Sequence, residues 1–327
     1  MFSFVYNIFL RLDRIIRKIL CCFIFSKTAR HIVMNRRVLQ YLNWKFIRNQ
    51  LEQDNYKFKY NLSIILIIKN ASQYMDEWIN YHKLVGVDHF YIYDNESTDG
   101  LKEVLDPYIK TGLVTYIYWP GQKQQTPAYN DALVHYRKET KWMAFIDDDE
   151  FIVPIEKKTI PEVLKKIVME YDKGNVAGVA IAWVTYGTSG HKKQIDGLCI
   201  ERFKMRENAK KDFVYKTIVR SSRAYAVEPH LPELSDGMII IDEVGGKVTH
   251  HIQGTHRDRI RINHYHMKSV EEFARKKARG DAYFGSYGKV DMKYIEDTDK
   301  ACVIKDNIMD KYIEPVKAEI KKIKCKK

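Results

Sequence analysis

A chain of 327 residues that is 45% apolar and 13% aromatic, with only 16 Gly and 8 Pro, can bury a large core, which excludes disordered, collagen-like and low-complexity classes. Five scattered cysteines (Cys21, Cys22, Cys199, Cys302, Cys325) without a C-x-x-C pair argue against a disulfide framework or a cysteine zinc site and fit a reducing compartment. The net charge of +13 sits at the ends, because residues 1–60 hold 12 basic and 3 acidic residues, residues 303–327 hold 8 and 4, and the middle holds 35 of each; no nucleic-acid-binding face is expected from that distribution.

Residues 2–25 combine fourteen Phe, Val, Ile and Leu with Arg11, Asp13, Arg14, Arg17 and Lys18. Five charges near mid-bilayer would cost about 12–17 kcal/mol, against at most about 8 kcal/mol from the apolar residues, so spanning is not expected. Val5, Ile8, Phe9, Leu12, Ile15, Ile16, Ile19, Leu20 and Phe23 follow the spacing of one helix face, with the cations opposite. That pattern predicts a helix lying on an anionic membrane surface and a peripheral, cytoplasmic protein. A helix packed on its own core is the competing reading. Charges interrupt the apolar run and no small-residue cleavage site follows, so no cleaved leader is expected.

From residue 62 the pattern changes. Leu62–Ile68 reads as a buried parallel strand, 72–85 as a helix stopped by Gly86, and His89–Asp94 as the next strand. The loop NESTDG leads to a helix over Leu101–Lys110, a strand over Leu113–Trp119, a helix from about Tyr129 to Lys138, and the strand WMAFID. This alternation predicts an α/β fold with a mostly parallel sheet covered by helices. Ligands in such folds bind beyond the carboxyl ends of the strands, where Asp94 and the run Asp147 to Glu150 fall. VAGVAIAWVTYG, IERFKMR and VYKTIVR read as further strands. Ser269, with Glu272 three residues later, opens a helix over 269–282 through a capping box. Residues 303–327 read as a basic helical tail interrupted at Pro315.

FIDDDEF is the sharpest feature. In an extended strand Asp147 and Asp149 would share a face about 6.6 Å apart, repelling by about 2.5 kcal/mol at an effective dielectric near 20. A divalent hard cation, Mg²⁺ or Mn²⁺, would relieve this; a solvated acidic loop is the bland alternative.

Six motifs in order then resemble the family 92 glycosyltransferases: LSIILIIKNASQYMDEWINYHKLVGVDHFYIYDNESTDG, FIDDDEFIVP, WVTYGTSGH, IERF, KTIVR and INHYHMKSVEEFARKKARG. The opening is also similar to family 2, where a strand ends near an Asp-Gly-Ser-x-Asp loop. The resemblance spans about residues 62–285. It implies a GT-A fold, a nucleotide-sugar donor, a divalent metal and an inverting reaction. The expected organisation is a basic helical extension over 1–60, a GT-A domain over 61–290 and a helical tail over 291–327.

Carried over residue by residue, the resemblance implies these roles. Lys69 and Asn70 line the nucleotide. Asp94 faces the base or ribose, or else caps a helix, while Asn95, Ser97 and Asp99 shape the loop. Gln125, Tyr129 and Asn130 open toward the donor. Asp147 approaches the ribose or the metal, Asp149 binds the metal, and Glu150 is structural. His264, or failing it His230, joins the metal; a zinc site at the H-x-H of NHYHM is the alternative. Lys216 and Lys268 neutralise the diphosphate, or else form surface ion pairs. Glu233, Asp236 and Glu201 are candidates for the base that takes the acceptor proton. The expected partners are a nucleotide sugar and a glycan or glycolipid acceptor. A nucleotidyltransferase would use the same carboxylates and metal, but IIKNASQY lacks the glycine such an enzyme would place after its first strand. A membrane-associated binding module without activity would not need the paired acids.

Overall fold

The computed structural model describes Ile19, Ile24 and residues 36–208, 213–235, 237–250, 252–253, 256–280 and 291–325. The expected membrane-surface helix lies outside the described residues apart from Ile19 and Ile24. After α1 (Arg36–Leu51), four strands alternate with helices: β1 (Tyr60–Ile68), α2 (Met75–Leu84), β2 (His89–Asp94), α3 (Leu101–Lys110), β3 (Val114–Tyr118), α4 (Gln125–Tyr136) and β4 (Thr140–Phe145). β5 (Glu150–Pro154), α5 (Ile160–Tyr171), β6 (Val176–Thr185), the single turn α6 (Cys199–Arg202), β7 (Met205–Arg206) and β8 (Phe213–Arg220) follow. The chain continues through β9 (Ala224–Val227), β10 (Pro232–Leu234), β11 (Ile239–Ile241), β12 (Lys247–Val248), β13 (Ile252–Gln253) and β14 (Ile260–His264). It ends with α7 (Val270–Arg279), α8 (Met292–Ala301), β15 (Ile304–Lys305) and α9 (Asp310–Lys324).

The main sheet runs β12-β11-β6-β8-β4-β1-β2-β3. β3, β2, β1 and β4 are parallel neighbours, as the alternating pattern predicts. β8 then inserts antiparallel between β4 and β6, and β14 pairs parallel with β6 and antiparallel with β5. The result is the mixed, mostly parallel α/β architecture implied by the resemblance.

β1 explains why the sheet is buried on both faces. Ile64 and Leu66 point into a core with Trp78 and Ile79 of α2, while Ile65 and Ile67 point the other way, against Tyr129 and Leu133 of α4. Each fully buried Ile or Leu contributes about 1.5–3 kcal/mol, and a strand with period-two side chains serves two layers when both its faces are apolar; the buried Ser63 hydroxyl meets that of Thr140 at 2.9 Å. Gly86 ends α2 at φ +97°, where a Cβ would sit 3.0 Å from Pro161 and Thr159; an L side chain there would meet both strain and a neighbour.

Four local expectations are corrected. Asp147–Asp149 is a turn between β4 and β5, closed by Glu150 N–H donating to the Asp147 carbonyl at 3.1 Å; the two acids therefore do not share a strand face. The helix expected from Tyr129 begins at Gln125. IERF is the turn α6 rather than a strand, because the Glu77 carboxylate accepts the Cys199 and Ile200 N–H groups at 2.7 and 2.9 Å, and that partner is remote in sequence. Pro315 lies inside α9 without ending it. Burial of Ile313 and Val316 against the main core offsets the roughly 3 kcal/mol a helix-interior proline costs.

Candidate active site

The carboxyl ends of β1 and β4 open into a cleft of about 1020 Å³. Its floor is the Asp147–Asp149 turn. One wall comes from β8, β14 and α7, which bring Lys216, His264, Lys276 and Arg279; another is the segment Glu228–Glu233.

Asp147 is held from three sides. Its Oδ1 accepts from Gln125 Nε2 at 3.0 Å and Tyr129 O–H at 3.2 Å, and its Oδ2 lies 3.0 Å from Lys216 Nζ. Burial opposes its charge, but Lys216 and His264 outweigh that and hold the carboxyl below its ordinary value. Glu150 is fully buried and its Oε2 accepts the Asp147 N–H at 3.0 Å. Burial first, with Asp147 and Asp149 adding, pushes the Glu150 carboxyl well above its ordinary value. Like charges in one low-dielectric site separate their protonation states in this way. The direction is thus upward for Glu150 and downward for Asp147 and Asp149.

Asp149 is 1% exposed and meets a second cationic group. Its Oδ2 accepts from Lys276 Nζ, and its Oδ1 lies 3.5 Å from His264 Nε2. Asp149, His264 and His266 place one ligand atom each within 4.8 Å of one another. Lys276 also lies 3.1 Å from His266 Nδ1. Burial opposes the charge on Asp149, yet Lys276 and His264 hold it well below its ordinary value. Burial and then Lys276 push His266 well below the usual imidazole range, so it presents the neutral ring that donates a lone pair. Asp148 pairs with Arg279 at 3.4 Å, and its buried Oδ2 has no hydrogen-bond partner.

Of the residues expected from sequence, Lys69, Gln125, Asp147, Asp149, Lys216, His230, Glu233 and His264 line this cleft. Asn70 and Lys268 line a smaller neighbouring cavity of about 250 Å³ instead. Tyr129 reaches the site through Asp147. Asp94 turns away from the cleft: its oxygens accept from Ser97 N–H at 2.8 Å and Tyr116 O–H at 2.7 Å, tying the loop after β2 to β3. Asn95, Ser97 and Asp99 bond to the backbone of Trp119, Asn70 and Ser72 in the same loop region. Asn130 joins α4 to β9 through Val227, donating at 2.7 Å and accepting at 2.9 Å. Glu201 pairs with Lys317 of α9 and does not line the cleft. Asp236 lies outside the described residues. The sequence reading names His266 only within the zinc alternative and Asp148 only within the acidic run, and gives no site role to Lys276, Arg279, Trp183 and Glu228. One signal for two of them was available: Lys276 and Arg279 are three apart on α7 and so share a helix face, directly after the NHYHM block.

A family model described as glycosyltransferase family 92 matches residues 65–318. A family 92 protein of Ricinus communis is 37% identical over 101 residues, 31% of this chain and 18% of that protein. A galactan beta-1,4-galactosyltransferase of Arabidopsis thaliana is 31% identical over 208 residues, 60% of this chain and 38% of that protein. These matches therefore span well under half the length of either relative. Among solved structures, S. aureus TarS 1–349 in complex with UDP overlaps at a TM-score of 0.32 and 14% identity, covering 50% of this chain and 47% of that one. Glucosyl-3-phosphoglycerate synthase from Mycobacterium tuberculosis, in complex with Mn²⁺, UDP and its product, overlaps at 0.26 and 18%, covering 38% and 44%. Both overlaps are loose, and the assignment rests on the family model, which takes in most of the chain and every strand end that builds the cleft: the protein belongs to glycosyltransferase family 92.

Proposed function

We propose that the protein is a hexosyltransferase that moves a sugar from a UDP-sugar to a hydroxyl of a glycan or lipid-linked glycan, with inversion and with a divalent ion. The observation that carries this reading is the convergence of Asp149, His264 and His266 within 4.8 Å at the carboxyl edge of the sheet, in a cleft that also holds Lys216, Lys276 and Arg279. One carboxylate with two imidazoles suits Mn²⁺ better than Mg²⁺, which prefers oxygen donors throughout. Bound there, such an ion supplies charge neutralisation for a diphosphate leaving group.

The chain's own groups have distinct tasks. Lys216, 3% exposed at its side chain, fixes Asp147 while Gln125 and Tyr129 set its orientation. Asp147 then faces the cleft as an acceptor for donor hydroxyls or water-bridged metal contacts. Lys69 and Arg279 bring positive charge to the nucleotide end. Trp183, His230 and Tyr294 give the acceptor wall aromatic faces, which offer apolar area to sugar rings while their polar edges hold orientation. Glu233 stands on that wall, 2.5 Å from Arg37, and in this reading it takes the acceptor proton. A relative named as a galactan galactosyltransferase supports galactose as the donor sugar and a galactan-like glycan as the acceptor.

Calorimetry with UDP, in Mn²⁺ and in EDTA, tests the reading. UDP binding that appears only with Mn²⁺, joined by UDP release from UDP-galactose in the presence of a β-galactan, is the expected result. Equal UDP affinity in both conditions would remove the metal from the site.

A further inference from the structure

Lys276 stands where the ion of the preceding reading would act. Its ammonium donates to Asp149 Oδ2, lies 3.1 Å from His266 Nδ1, and lies 3.4 Å from the His266 carbonyl oxygen. It thus engages two of the three groups in the only candidate ligand set among the described residues. Asp148 and Asp149 are the acids that face it, and Arg279, His264 and His266 are its other charged or titratable neighbours. An ammonium and a divalent ion on one carboxylate repel strongly when that carboxylate is 1% exposed, because little water is left to screen them. The two cations therefore compete for Asp149.

Lys276 also has somewhere to go. It forms part of the wall between the main cleft and the smaller cavity of about 250 Å³. Four rotatable bonds let a lysine carry its charge between two such positions without moving its helix. Arg279, one turn further along α7, lines both cavities as well.

We propose that Lys276 is a resident counter-ion that holds the divalent-ion position at Asp149 until the ion arrives together with a nucleotide diphosphate, and that the displaced ammonium then pairs with that diphosphate. The proposal rests on the metal reading of the site. It makes ion and nucleotide binding cooperative: the ion alone must displace a paired lysine, whereas ion plus diphosphate gives that lysine a new partner. The free protein keeps Asp149 neutralised without metal.

The test is Mn²⁺ binding followed by electron paramagnetic resonance, with and without UDP, in the full chain and in Lys276→Met. Lys276→Met should bind Mn²⁺ alone about tenfold or more tighter than the parent, since a competing unit charge is gone, and UDP should enhance its Mn²⁺ affinity less. Its melting temperature should also rise more on adding Mn²⁺, because the ion replaces the missing counter-charge. Lys276→Gln provides the same comparison if the methionine variant does not fold, and Asp149→Asn provides the unliganded baseline. Equal Mn²⁺ affinity in the parent and the Lys276 variants overturns the proposal while leaving the metal site standing. Absence of Mn²⁺ binding in every protein, with UDP present, overturns both.

Discussion

At the scale of single residues, the site shifts its acids in opposite directions. Asp147 and Asp149 are each matched to a lysine, while burial pushes the Glu150 carboxyl up and one of its buried oxygens lacks a hydrogen-bond partner. Removing one member of such a set is costly because it strands a charge. Asp149→Asn leaves the Lys276 ammonium without its carboxylate, and breaking a buried pair costs about 3–5 kcal/mol. Lys276 retains some solvent contact, so a loss near the lower end, about 3 kcal/mol, is expected in chemical denaturation. The same variant should lose Mn²⁺-dependent UDP binding in calorimetry; retention of both properties would remove Asp149 from the site. This differs from what repulsion between bare carboxylates implies, namely a stabilising effect of neutralisation, because the lysines that answer the acids are invisible to a strand-by-strand reading.

At the scale of elements, α7 shows how a local signal and a remote partner combine. Ser269 and Glu272 form the capping box read from sequence, but Glu272 also makes a two-bond contact with Arg202 of α6 at 3.0 Å each and accepts from Tyr74 at 2.8 Å. Burial opposes its charge, while the bonds from Arg202 and Ser269 outweigh that and bring its pKa down to about 2 from an ordinary 4.5. A depressed carboxylate contributes stability that is present above its unfolded value and lost as pH falls through the folded one. Glu272→Gln should therefore be less stable than the parent by about 3 kcal/mol at neutral pH, and the difference should shrink between pH 4.5 and pH 2. Denaturation curves at neutral and acidic pH check this, and a difference independent of pH would refute it. Ser269→Ala removes only the cap and should cost about 1 kcal/mol. Because Lys276 and Arg279 ride on this helix, Glu272→Gln should also weaken UDP binding without touching the nucleotide.

At the scale of the molecule, the described parts of the two basic ends, α1 and α9, are packed on the fold. In α1, Leu39, Trp44, Ile47 and Leu51 are buried, and Trp44 Nε1 donates to the Ser222 carbonyl at 2.6 Å. α9 packs Ile313 and Val316 into the main core. A fragment cut to 62–302 would expose both surfaces, so Trp44→Ala alone should cost about 3–5 kcal/mol in a denaturation titration. Residues 1–26 are a different case. No helix among the described residues is long and apolar enough to cross a membrane, and the amphipathic pattern of Val5 to Phe23 is the proposed anchor to an anionic surface. Deleting residues 1–26 should abolish flotation with anionic liposomes. High salt should partly release the full chain, since the Debye length falls from about 10 Å at 0.1 M to about 3 Å at 1 M. Retention of the full chain on liposomes in high salt and alkaline carbonate would refute surface anchoring.

The parallel half of the sheet and its helices were legible in the sequence because their causes are local. The continuous apolar run Leu62–Ile68, the stop at Gly86 and the Ser269 box each act within a few residues of themselves. The acidic run was legible as a site, though not as a turn, as four consecutive acids at the end of an apolar strand repel one another unless cationic groups answer them. What the tertiary structure alone decided is which groups those are. Lys276 is 127 residues from Asp149 along the chain, and Lys216 is 69 from Asp147; they meet because β8 inserts antiparallel beside β4 and β14 ends next to the turn. The same long-range packing gives Asn130 and Glu201 partners outside the cleft, Val227 and Lys317. A residue's type and neighbours in sequence determine what chemistry it offers, but burial and opposite charge determine its protonation and reach, and those are set only when distant segments share one low-dielectric volume.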